Sequence, residues 1–318
     1  MKLKKKFLSL AVSLMLFTGF AASSNAVSFD SIQRLKGSDR YATASAIAGS
    51  IGSYDTVILV NADNNKLADG LSASGLAGVV KAPILLVHKD IIPNETQLRI
   101  DIAKKIYIIG STNSISDNLE NKLRDENMGG FNVKRIGGKD RFETSSNIAK
   151  EILNIKGSIG KVFVANGYKG EADAMSISAV AARDGEPIIL TNGSTLTDAS
   201  AGVVEQTKNI YAVGGRGNIQ SSLVSSLGAT RISGSDRYST NSAVINEFYR
   251  EKPTRYYLSD GYKLVDALTG GPLAGRNISP IVLVGLNSNK SVLKGANQLV
   301  ALGGIPDSVL KQCAQATN

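Results

Sequence analysis

The pattern Arg-x-x-Gly-x-Asp-Arg-aromatic-x-Thr occurs three times, as RLKGSDRYAT (34–43), RIGGKDRFET (135–144) and RISGSDRYST (231–240). Two guanidinium groups flanking a carboxylate can do two kinds of work. Arg makes planar, bidentate contacts with carboxylate or phosphate, which makes Arg34, Arg40, Arg135, Arg141, Arg231 and Arg237 candidate contacts for an anionic ligand. The same residues could instead serve the fold, with the second Arg of each copy salt-bridged nearby. Asp39, Asp140 and Asp236 each precede a helix-like run and read as structural N-caps. In the second copy Glu143 follows Asp140 by three residues and would complete a capping box. The Gly two residues before each Asp permits a sharp turn from strand to helix.

A second carboxylate recurs in step. Asp69, Asp173 and Asp266 follow the first Asp by 30, 33 and 30 residues, each after a strand-like run and a polar loop. In parallel α/β sheets, ligands sit outside the carboxyl ends of strands. The loops NADNNKLAD (61–69), NGYKGEAD (166–173) and SDGYKLVD (259–266), with Asp69, Asp173 and Asp266 at their ends, are therefore candidate binding loops. A helix N-cap is the competing reading of the Asp itself.

Other chemistry is poorly supplied. His88 is the only histidine and Cys313 the only cysteine, so a zinc site of the usual His/Cys kind lacks ligands and no intrachain disulfide can form. No metal or cofactor is expected. GGKD (137–140) lacks the spacing of a phosphate loop. Paired carboxylates for glycoside cleavage remain open on counting alone. Threefold repetition argues against them, because catalysis needs one asymmetric site, whereas linked weak sites gain by effective concentration on a polymer.

The elements that must position these residues repeat too. Strand-like runs TVILVNAD, KVFVANGY and RYYLSDGY follow each motif. Then come PILLV, PIILT and PIVLV, and finally IYIIG, IYAVG and LVALG. All-apolar runs of this length are strands buried on both faces, and helix-like stretches such as TASAIAGSI and NLENKLRDEN lie between them. Alternation of this kind predicts α/β units with mostly parallel sheets. Copies about a hundred residues long are whole small domains, placed at 27–131, 132–228 and 229–318.

Residues 1–26 combine four early lysines, an apolar stretch and small residues at 24–26, and read as a secretory signal peptide cut after Ala26. Its loss lowers the net charge from +9 to +5. Residues 229–318 are the most basic part, with 10 basic and 6 acidic side chains. That polarity suits an anionic partner and falls short of a nucleic-acid-binding stripe. No membrane association is expected once the leader is removed.

Taken together, the decapeptide, the Asp-Ala-Leu-like segment, the Pro-Ile strand and the strand-Gly-Gly segment resemble the type 2 cell wall binding repeat of Gram-positive surface proteins. The resemblance covers the whole chain after the leader. It implies three Rossmann- or toprim-like units packed as a pseudo-threefold trimer. It also implies noncovalent attachment to an anionic, teichoic-acid-like wall polysaccharide, with S-layer proteins as further partners and a location at the cell wall or S-layer. The repeats fill the chain, so no separate effector domain is expected within it. The alternative is a wall-modifying enzyme or a modulator of a wall hydrolase. The first copy departs from the others at Gly70, where they have Ala174 and Ala267, and at Ser111, where they have a second Gly.

Overall fold

A computed structural model describes residues 26–63, 67–125 and 130–318; the expected leader lies outside the described residues up to position 25. The strands form three four-stranded, all-parallel sheets. The first contains β2 (Thr56–Asn61), β3 (Ile84–Val87), β4 (Lys105–Ile109) and β5 (Asn132–Ile136), in the order β3-β2-β4-β5. The second contains β6 (Val162–Asn166), β7 (Ile188–Thr191), β8 (Ile210–Val213) and β9 (Thr230–Ile232), in the order β7-β6-β8-β9. The third has the same order, β11-β10-β12-β1, from β10 (Arg255–Asp260), β11 (Ile281–Val284), β12 (Gln298–Leu302) and β1 (Gln33–Leu35).

Sheets and sequence copies are thus offset by one strand. β5 opens the second copy and completes the first sheet, and β9 opens the third copy and completes the second. β1 opens the first copy and closes the third sheet, with Gln33 opposite Val300 and Leu35 opposite Leu302. Each sheet thus takes its last strand from another of the units expected at 27–131, 132–228 and 229–318.

Local sequence explains the elements. The central strand β2 is buried at every position, as TVILVN between two helical layers must be. Pro83, Pro187 and Pro280 each precede an edge strand, where a missing N–H breaks no ladder bond, and their carbonyls accept from Ile58, Phe163 and Tyr257 at 3.0 Å. After each decapeptide runs a helix: α1 (Arg40–Gly49), α5 (Arg141–Lys156) and α9 (Arg237–Phe248). A second helix begins at or near each second Asp: α2 (Ala73–Val79) follows Asp69, while α6 (Glu171–Asp184) and α10 (Val265–Arg276) hold Asp173 and Asp266 in their first turns. These last three pack against one another, and their Ala, Ser and Gly residues allow close approach. Outer helices α3 (Asn94–Ile100), α4 (Asp117–Arg124), α7 (Asp198–Val204), α8 (Ser221–Ser226) and α11 (Asp307–Gln315) complete the layers.

One continuous apolar core contains Ile58, Leu76, Phe163, Ile177, Leu258 and Leu268, so all three sheets share it. Smaller outer clusters lie under the first and second sheets. Cys313 is fully buried in the shared core as a free thiol, and burial pushes its pKa up to about 12. Among the described residues, no helix is long and apolar enough to cross a membrane.

Candidate functional site

Each decapeptide spans two sheets, starting in the last strand of one and ending on a helix of the next. Within it, the first Arg points to internal acceptors. Arg135 donates to Glu120 at 2.6 Å and to the carbonyls of Gly110 and Ser116. Arg231 donates to the carbonyls of Gly214 and Ile219 at 2.7 and 2.8 Å. Arg34 pairs with Asp307 in the first turn of α11 at 2.7 Å. The strand ends and the helix starts that follow them are tied together in this way.

Asp39 accepts from the amide of Ala42 at 2.8 Å, Asp140 from those of Phe142 and Glu143 at 2.9 Å, and Asp236 from that of Ser239 at 2.7 Å. The capping box belongs to the third copy, where Ser239 reaches back to the Asp236 amide. Glu143 instead accepts from the amide of Lys139, one residue earlier, because the Asp140 turn brings that N–H nearer. The Ser239 hydrogen bonds hold the Asp236 carboxyl below its usual range. Gly37, Gly138 and Gly234 are needed for proximity: a Cβ there would come within 2.3, 2.6 and 2.4 Å of the helix turn that follows. In copies one and three the closing Thr43 and Thr240 accept from the amides of Gly37 and Gly234 at 3.0 Å.

Among the described residues the second Arg does not form the expected salt bridge. Arg40, Arg141 and Arg237 each donate to a carbonyl just past a central strand, on Ala62, Gly167 and Gly261, at 2.8, 2.5 and 2.7 Å. A strand that ends at the sheet leaves a free carbonyl in reach, and the guanidinium, with five donors, keeps others available.

The second Asp lies at the start of the central helices. Asp69 occupies an N-cap position without a side-chain cap bond, while Asp173 and Asp266 sit in the first turns of α6 and α10. Each carboxylate abuts the Gly ending the neighbouring strand. A Cβ on Gly110, Gly214 or Gly303 would fall within 2.6, 2.6 and 1.9 Å of it, and all three glycines have positive φ. This is the physical reason for the strand-Gly signature. Asp173 is 3% exposed and accepts from Asn218 at 2.5 Å; Asp266 is 7% exposed. Burial raises both carboxyls to about 6.

These groups meet in two clefts at the carboxyl ends of the strands. A cleft of about 480 Å³ joins Asp39 and Arg40 to Lys263 and Asp266, with Glu171 from the second copy on its wall. A cleft of about 350 Å³ likewise joins Asp236 and Arg237 to Lys169 and Asp173. Asp69 belongs to the junction that carries Arg141, but residues 64–66 of its loop lie outside the described residues. A further cavity of about 490 Å³, reaching Lys81, Asp184 and Arg276 at the far ends of the central helices, contains none of these residues.

The sequence pattern did not single out Lys169 and Lys263, exposed and without an ion pair among the described residues, or the tyrosine before each. It also missed what happens to His88. Its Nδ1 lies 2.5 Å from Asp63 and 3.1 Å from the Tyr41 hydroxyl, which gives the first copy a polar cluster of its own. No group of three or more His, Cys, Asp or Glu residues able to hold a metal occurs among the described residues.

Against known proteins, the family described as cell wall binding domain 2 matches residues 34–120, 135–224 and 231–309. The chain belongs to that family. Among solved structures, Cwp6 from Clostridium difficile superposes with a TM-score of 0.83 at 32% identity, covering 92% of this chain and 48% of its own. Cwp8 from the same organism gives 0.80 at 33% identity, covering 90% and 51%. Among curated proteins, the N-acetylmuramoyl-L-alanine amidase LytC of Bacillus subtilis is 30% identical over 295 residues, 91% of this chain and 56% of LytC. The Bacillus subtilis amidase enhancer is 33% identical over 270 residues, 82% of this chain and 36% of that protein. The chain therefore spans about half or less of these relatives' lengths.

Proposed function

We propose that this cell wall binding domain 2 protein is a secreted, noncatalytic wall anchor that attaches noncovalently to an anionic, teichoic-acid-like polysaccharide. The observation that carries the reading is the recurrence of one polar cleft at two sheet junctions. Each sets a partly engaged Arg beside a Lys without an ion pair among the described residues, at the carboxyl ends of the strands. Arg40, Arg237 and, at the third junction, Arg141 are the polymer contacts. Arg34, Arg135 and Arg231 hold the frame. Asp69, Asp173 and Asp266 lie in or beside the binding loops and accept from sugar hydroxyls. Several weak sites on one rigid body bind a repeating polymer tightly through effective concentration. S-layer proteins are a secondary class of partner.

A second reading, modulation of a wall hydrolase, is favoured by the amidase and the amidase enhancer among the relatives. The two readings separate when the chain is incubated with purified Gram-positive walls. A binder sediments with the walls and releases no soluble glycan or peptide. Release of wall fragments over time would overturn the noncatalytic reading, and failure to sediment would overturn binding.

A further inference from the structure

Tyr168 and Tyr262 are the two most exposed aromatic side chains among the described residues, 60% and 72% accessible. They occupy equivalent places, two residues past the central strands β6 and β10. Neither is a loose surface ring. The Arg141 guanidinium carbon lies 4.9 Å from the Tyr168 ring centre, and that of Arg237 lies 4.2 Å from the Tyr262 ring centre. Phe142 meets Tyr168 edge-on at 5.2 Å, and Tyr238 meets Tyr262 at 6.4 Å. The backbone beneath is held as well: Asn166 accepts from the amides of Tyr168 and Lys169 at 2.8 and 2.9 Å, and Asp260 from that of Tyr262 at 2.8 Å. Each ring is thus fixed by the decapeptide's own Arg and aromatic, with its remaining surface open to solvent.

We infer that Tyr168-Lys169 and Tyr262-Lys263 are saccharide-reading heads, and that the second and third copies carry recognition while the first does not. The inference rests on the wall-polymer reading and names where that polymer is read. A sugar ring presents polarised C–H bonds on one face, which settle on the negative face of an aromatic ring. The neighbouring ammonium supplies the partner for a phosphate or carboxylate on the same repeat unit. The surface continues on either side of Tyr262. The ring borders both the 480 Å³ junction cleft and a second cleft of about 390 Å³ lined by Tyr238, Asp260 and Leu286. Two clefts meeting at one exposed ring suit an extended chain better than a small molecule.

In the first copy Asp63 stands two residues past the central strand, where the others have tyrosine; its loop keeps a lysine, Lys66, three residues before Asp69 as Lys263 is before Asp266. Asp63 is engaged by His88 and by the amide of Lys89 at 2.9 Å, and the Tyr41 ring lies 4.5 Å from that of His88 at a 43° tilt. A carboxylate in place of the ring removes the stacking surface and repels an anion.

The test uses residues 27–318 and soluble polysaccharide released by dilute acid from purified Gram-positive walls. The chain has no tryptophan, so Tyr262→Trp adds a single fluorophore at the proposed contact. Its emission should shift on polymer addition. Tyr168→Ala and Tyr262→Ala should each weaken binding by about fivefold to tenfold at both low and high salt, the size of an aromatic contact. Lys169→Gln with Lys263→Gln should instead flatten the salt dependence. Tyr41→Phe, in the first copy, should stay within about twofold of the parent. Thermal unfolding of each variant checks that it is folded. Parental affinity in the double Tyr→Ala variant, with unmoved emission from a Tyr262→Trp protein that still binds, would overturn this inference and leave the anchor reading standing. No binding by the parent chain would overturn both.

Discussion

Replacing Asp266 by Asn should make the protein's stability less dependent on pH, in one window and with one sign. The Asp266 carboxyl is 7% exposed and is raised to about 6, mainly by burial, with Lys263 pulling against that rise. In the unfolded chain it returns to its ordinary value of 3.8. Below pH 4 both states are protonated and the group contributes its full share. Between about pH 4 and 6 the unfolded chain ionises while the folded one stays protonated, so stability falls. The shift of about two units corresponds to about 3 kcal/mol, lost by pH 7. Other carboxyls run the opposite way. Asp184 and Glu120 are desolvated, but hydrogen bonds from Arg183 and Arg124 more than offset this and hold them low. The parent curve alone therefore cannot isolate Asp266, whereas its difference from the variant can. Urea unfolding of residues 27–318 at pH 4, 5, 6, 7 and 8 gives that difference. The variant should gain more than about 2 kcal/mol on the parent between pH 4 and pH 8, because part of the loss is already incurred at pH 4. A difference that stays flat across this range would refute the burial argument.

Glu151 on α5 accepts from Tyr107 at 2.9 Å and Lys134 at 2.5 Å, both on the first sheet; Glu151→Leu should cost about 1 to 2 kcal/mol in urea unfolding, chiefly by leaving the buried Tyr107 O–H without an acceptor, since Lys134 is half exposed. Asp39→Ala and Asp236→Ala should each cost about 1 kcal/mol by the same assay, as lost helix caps do. Cys313 should react with a thiol reagent only as the protein unfolds, so that labelling follows the unfolding curve. Wall binding should strengthen as pH falls from 8 to 5, because Asp173 and Asp266 lose their charge below about 6 in clefts proposed to hold an anion; cosedimentation across that range measures it.

The repetition of the chain and its α/β character are legible because parallel strands buried on both faces leave apolar runs such as VILV and IVLV, and because Asp capping has a fixed offset from the helix. The exchange of the last strand is not legible. β1 and β12 are separated by more than 260 residues, and nothing in QRL says which LVAL it will join. The decapeptide also reads as a possible ligand set because Arg suits anions. Its first Arg instead bonds carboxylates (Arg34 to Asp307, Arg135 to Glu120) or carbonyls near the strand ends (Arg135, Arg231), and its second keeps one N–H on a carbonyl while facing the cleft or a tyrosine ring. Pattern matching fixed on the residues shared by all three copies. Tyr168 and Tyr262 have Asp63 in their place in the first copy, so the shared pattern does not include them.

The measurement that tests the central claim most directly is cosedimentation of residues 27–318 with purified walls, intact and stripped of their acid-extractable anionic polymer, at low and high salt. Attachment to that polymer predicts strong binding to intact walls at low salt, weaker binding at high salt and loss of binding to stripped walls. Equal binding to stripped and intact walls would contradict it and transfer recognition to peptidoglycan or a protein layer.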